Sequence, residues 1–87
     1  MNSNFTNPSR SYDATRQAVH FWGYDGSMEV SFFVAADALR QLRPSTSGEE
    51  DAFLGVFDAN RQRIHEVAAK VYARRPMGSY DLQASDF

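Results

Sequence analysis

Cysteine is absent from these 87 residues, which excludes a disulfide framework and thiolate chemistry and fits a reducing compartment. No run of roughly 18 apolar residues occurs, so no membrane-spanning helix is expected. The opening MNSNFTNPSRSYD has no basic segment leading into an apolar one. No secretory signal is therefore expected, and the expected location is cytoplasmic. Asn4-Phe5-Thr6 formally matches a glycosylation sequon, which without a leader is an accidental match. A large charge excess is missing too. Net charge is −2, which argues against a strongly basic nucleic-acid binder. Only three prolines and five glycines punctuate the chain, among them Gly26, Pro44 and the Pro76-Met77-Gly78 group, which mark reversals or helix ends.

What the chain does have is apolar material, 43% of residues with 14% aromatic, enough for one packed domain. Its organising stretch is residues 15–34, TRQAVHFWGYDGSMEVSFFV. Two runs rich in β-branched and aromatic residues flank Asp25-Gly26, a β-hairpin signal. A two-residue loop at Asp25 and Gly26 would set Tyr24 against Ser27, Trp22 against Glu29, His20 against Ser31 and Val19 against Phe32. Side chains alternate across a strand. One face then collects Val19, Phe21, Met28, Val30 and Phe32 as a core face. The other collects Ala18, His20, Trp22, Tyr24, Glu29, Ser31 and Phe33. That second face is too apolar for bare solvent and too polar for an ordinary core.

Residues 1–11 read as a polar arm, loosely ordered unless Phe5 docks on the sheet or on a partner. Residues 12–87 read as a single α+β domain. Asp13 is placed for an Asx-type turn that receives a backbone N–H near Thr15. Residues 35–43 are helix material with Leu39 and Leu42 one turn apart, stopped by Pro44. Ser47 with Glu50, or Thr46 with Glu49, fits a capping box for the next helix. That helix is expected over residues 49–74, with acids in its first turn and bases in its last. Phe53, Leu54, Val56, Phe57, Ile64, Val67, Ala68, Val71 and Tyr72 would span an arc of about 160° on it. Its length would be roughly 39 Å, against about 30 Å for a compact domain of this size. A second subunit would explain both the length and the width of the arc. Asn60 falls near the middle of that arc and is expected to make an internal hydrogen bond. Pro76-Met77-Gly78 ends the helix, and residues 79–84 read as a last strand with Tyr80 and Leu82 on one side. The order is β-β-α-α-β, a small mainly antiparallel sheet with two helices on one face.

Tyr12-Asp13, the Val19-x-Phe21-Trp22-Gly23 strand, Glu29-Val30-Ser31-Phe32, Asp37-Ala38-Leu39, and residues 64–72 followed by Tyr80 and Asp86-Phe87 together resemble a known family. It is the family of short bacterial proteins catalogued as a domain of unknown function (number 1488). The resemblance runs over nearly the whole chain. It implies a bacterial cytoplasmic protein with a small α+β fold, and it brings no catalytic residue, cofactor or partner.

The residues that suggest a task are those of the second hairpin face. Arg16, His20, Trp22, Tyr24, Glu29 and Phe33 form a hypothetical contact surface, because aromatic bodies with polar tips are what interface hot spots favour. The competing reading has a helix, the arm or the last strand cover them. Lys70, Arg74 and Arg75 form a hypothetical basic helix end, for which capping and solvation are the plainer explanation. His20 and Glu29, as diagonal neighbours, would offer an acid–base pair or two metal ligands, with no third ligand set by spacing. Ser31 opposite His20 would lack oxyanion donors. His65 reads as a solvated helix histidine. The leading expectation is a non-catalytic interaction or regulatory module, without cofactor or metal, whose simplest use of the aromatic face is homodimerisation. The alternatives are an RNA or single-stranded nucleic-acid binder and an enzyme with a His20/Glu29 site.

Overall fold

The computed structural model describes residues 3–74 and 78–87. At its centre β3 (Ala18–Asp25) and β4 (Met28–Ala35) pair antiparallel over their full length. Two polar strands, β1 (Ser3–Asn4) and β2 (Arg10–Asp13), line the far edge of β3, both antiparallel to it. β5 (Ser79–Leu82) lies on the other edge, parallel to β4. A parallel pair needs a long crossover. Here it is supplied by α1 (Ala36–Leu42), α2 (Glu50–Ala59) and α3 (Arg61–Arg74). A 3-10 turn over Ala84–Asp86 follows β5. The class is α+β, with a mostly antiparallel sheet and helices packed on one face, as the alternation and the helix-forming runs predict. No helix among the described residues is long and apolar enough to cross a membrane.

The hairpin turns one residue later than the Asp-Gly signal implies. Asp25 faces Met28, so the two loop residues are Gly26 and Ser27. An Asp25-Gly26 loop of type I′ would require positive φ at both residues. The observed loop needs it only at Gly26, whose φ is 62°, as in a type II′ turn. Every cross-strand partner therefore moves by two. Tyr24 faces Glu29, Trp22 faces Ser31, and His20 faces Phe33. A shift of two preserves which face each residue occupies. Val19, Phe21, Val30 and Phe32 are accordingly buried in the core, joined by Val34. Met28, assigned to that face, is 54% exposed because it sits at the tip of the hairpin.

The helix expected over residues 49–74 is two helices. Asn60 ends α2 with φ −118° and ψ 20°, outside helical values. Its side-chain amide donates to the Val56 carbonyl at 2.9 Å, the internal bond expected of it. Such a side chain competes with the backbone for hydrogen bonds and favours a break. With the axis interrupted, Phe53, Val56 and Phe57 serve one buried face and Ile64, Ala68 and Tyr72 another. This accounts for the wide arc within one chain, whose extents are 36 × 23 × 22 Å. Neither the length nor the width of the helical segment then requires a second subunit. Neither capping box forms. Glu49 is the residue before α2 and makes no side-chain cap, while the Thr46 hydroxyl donates back to the Arg43 carbonyl at the end of α1.

The polar arm is held down. Phe5 packs against Phe21 and Phe32 and stacks on His65 with ring centres 4.3 Å apart. Gly23 makes room for it, since a Cβ there would lie 2.8 Å from the Phe5 ring. Arg61 donates to the Pro8 carbonyl, and Asp58 receives both Arg10 and Arg61 at 2.8 Å. The Arg10 and Arg61 hydrogen bonds and charges hold the Asp58 carboxyl below its ordinary pKa. His65 is half-buried under Phe5 and is not a solvated helix residue. At the other end of α3 the buried Tyr72 hydroxyl donates to Asp25 at 2.7 Å and ties the helix to the hairpin tip.

Candidate interaction surface on the open sheet face

The register assigns Ser11 and Asp13 of β2, Ala18, His20, Trp22 and Tyr24 of β3, Glu29, Ser31, Phe33 and Ala35 of β4, and Ser79 and Asp81 of β5 to the face opposite the helices. The main core is built from the inner sheet residues together with the helices. Phe33, 8% exposed, and Ala18 are buried yet lie outside that core. What covers Phe33 is local. The β2–β3 turn carries Arg16 over it, the guanidinium 4.1 Å from the ring centre. That turn is set by Asp13, whose carboxylate accepts the Arg16 backbone N–H, one residue beyond the expected Thr15. Gln17, at φ 51°, then brings its carbonyl to the Ala36 N–H.

From Arg16 a stack runs along the face. His20 lies 4.2 Å from Phe33 on one side and 4.1 Å from Trp22 on the other, ring centre to ring centre. The His20 Nε2 is buried between these rings and has no hydrogen-bond partner among the described residues. Burial lowers the imidazole pKa, and neighbouring Arg16 adds to that against the opposing pull of Asp13 and Glu29. At the far end the Tyr24 hydroxyl accepts from the Asn7 amide and donates to Glu29, both at 3.1 Å. The surface residues expected from sequence are thus on one face, and Arg16, Phe33, His20 and Trp22 touch in series.

The proposed catalytic geometry does not form. Glu29 stands opposite Tyr24 and Ser31 opposite Trp22, so neither is the cross-strand neighbour of His20. The register shift is the cause. Among the described residues no group of three His, Cys, Asp or Glu side chains could hold a metal ion.

Residues 4–82 match the profile of a family described as proteins of unknown function, DUF1488. The chain belongs to that family. A crystal structure of a DUF1488 protein of unknown function from Shewanella loihica PV-4 is similar, with a TM-score of 0.84 at 22% identity over 94% of each chain. At that identity the likeness shows the DUF1488 fold and assigns no residue a role. No curated protein matches the chain.

The basic helix end is mixed in charge. Lys70 and Arg74 are exposed, and with Arg63 they line a groove of about 440 Å³ that also contains Glu66 and Asp86. Arg75 and the Pro76-Met77 break lie outside the described residues. Sequence reasoning missed Asn7 as a partner for Tyr24. It also missed Arg10 as a second partner for Asp58, 48 positions away, because neither of these links has a local spacing signal, whereas the i,i+3 spacing of Asp58 and Arg61 does give that pair.

Proposed function

We propose that this DUF1488 chain is a non-catalytic interaction or regulatory module of the bacterial cytoplasm, acting through the open face of its sheet. One observation carries the reading: the continuous Arg16–Phe33–His20–Trp22 stack on the face opposite the helices that form the main core among the described residues. Rigid aromatic groups lose little conformational entropy on binding, and tryptophan and arginine dominate measured hot spots. Self-association remains one use of such a face, but it has lost the support drawn from the helix. A nucleic-acid role has less behind it, since Glu66 and Asp86 share the groove of Lys70 and Arg74. The enzyme reading loses its pair to the register.

The immobilised chain, presented to extract of its native cells, tests this against two variants whose folding is checked by circular dichroism. Trp22→Ala removes the centre of the surface and is expected to lose the retained proteins. Met28→Ala, at the exposed hairpin tip, is expected to keep them. Equal retention by all three chains would contradict the reading.

A further inference from the structure

We infer that the open face receives a cationic protein segment presenting arginine side chains, an inference that rests on that face being the contact surface. The charges on it are unequal. Asp13, Glu29 and Asp81 lie on the face by register, and Arg16 is the one base that reaches it among the described residues.

Arg16 also shows how the face holds a guanidinium. Phe33 supplies the π surface 4.1 Å below it, and Asp81 at 3.3 Å and Asp13 at 3.8 Å supply carboxylates at its edge. A cation over an aromatic ring is attracted by the ring quadrupole, and tryptophan is the strongest such ring. Trp22 and Glu29 repeat the same pair of groups one step along the stack. Glu29 faces Tyr24 on the neighbouring strand, which makes it the diagonal neighbour of Trp22. Glu29 has two carboxylate oxygens; among the described residues Tyr24 occupies one of them, Oε2, and the other can take N–H donors of a guanidinium. The neutral His20 between the two rings adds no positive charge to repel the incoming group.

The same inventory disfavours the other occupants. A second copy would bring three acids and one base against three acids and one base, and juxtaposed like charges oppose association. Phosphates would meet the same acids.

The test uses the full isotope-labelled chain and a blocked peptide of alternating arginine and leucine, with its glutamate analogue as control. The arginine peptide is expected to shift the Trp22 indole and the amides of His20, Phe33 and Asp81 in heteronuclear NMR spectra. Glu29→Lys combined with Asp81→Lys should weaken it at least about tenfold, an effect of the size seen for charge pairs at interfaces. Glu49→Lys combined with Asp51→Lys, which reverses acids at the start of α2, should leave it unchanged. Equal weakening by both double variants, shifts confined to the helices, or equal binding of the glutamate peptide would overturn the inference. Sedimentation separates it from the broader reading. A dimer dispersed by Trp22→Ala would overturn the cationic segment while leaving the face as the contact surface.

Discussion

His65 pays for its stack on Phe5 with its basicity. Burial first, and the Arg61 charge second, push its pKa from the ordinary 6.5 down to about 4. The unfolded chain therefore binds a proton between about pH 6.5 and 4 that the folded chain refuses, and stability falls as pH drops through that window. Below about pH 4 both states are protonated and this contribution levels off. Discounted for the partial exposure of the ring, the loss is on the order of 2 kcal/mol. Urea denaturation at pH 7 and pH 4.5 measures it. His65→Phe, which retains an aromatic ring beside Phe5, is expected to remove most of the difference. The lowered pKa of His20 leaves a smaller remainder of the same sign. An undiminished difference in that variant would assign the pH dependence elsewhere. The spacing of α3 places His65 away from the apolar centre, and rings distant in the sequence, Phe5 stacked on it and Phe21 tilted against it, leave it half-buried. A long-range contact of that kind leaves no periodicity to read.

Among the elements, the helix pair depends most on one residue. Asn60 both interrupts the helical dihedrals and, through its amide, adds a second hydrogen bond to the Val56 carbonyl, which its backbone N–H also reaches. Asn60→Ala removes that bond, leaves the carbonyl with its backbone partner, and is expected to cost about 1 kcal/mol in chemical denaturation, with the fold retained. No change in stability would mean that the amide does not contribute. The position of Asn60 in the apolar arc flagged it as unusual, and the internal bond was legible from that. The break was not, because one asparagine costs a helix interior only a few tenths of a kcal/mol against the residues around it. The hairpin teaches a related lesson. Asp25-Gly26 and Gly26-Ser27 are adjoining two-residue loops that share the one glycine, and local turn chemistry does not separate them. The side chains kept their faces because strands have a period of two. Their partners changed, and with them the His20/Glu29 and His20/Ser31 pairs. β1 and β2 were not foreseen as strands because they are short and polar, and their pairing depends on the edge that β3 offers.

Across the whole molecule, one layer of helices buries one side of the sheet, and the N-terminal arm is fastened over the junction of α2 and α3 by Phe5, Arg10 and Arg61. The other side keeps its aromatic residues together by stacking them on one another. Its composition was legible in the alternation of residues 18–35. Its continuity was not, because the Arg16–Phe33 and His20–Phe33 contacts depend on the true register and on the turn set by Asp13. A surface built this way is ordered before anything meets it, which lowers the entropy lost on association. The claim that this face is where partners bind is tested most directly by photo-crosslinking in native cells. The reactive group would be carried at the position of Ser31 on the sheet face or at Gln62 on α3. The account predicts discrete adducts from Ser31 that disappear when Trp22→Ala is added, and none from Gln62. Adducts from Gln62 alone would contradict it.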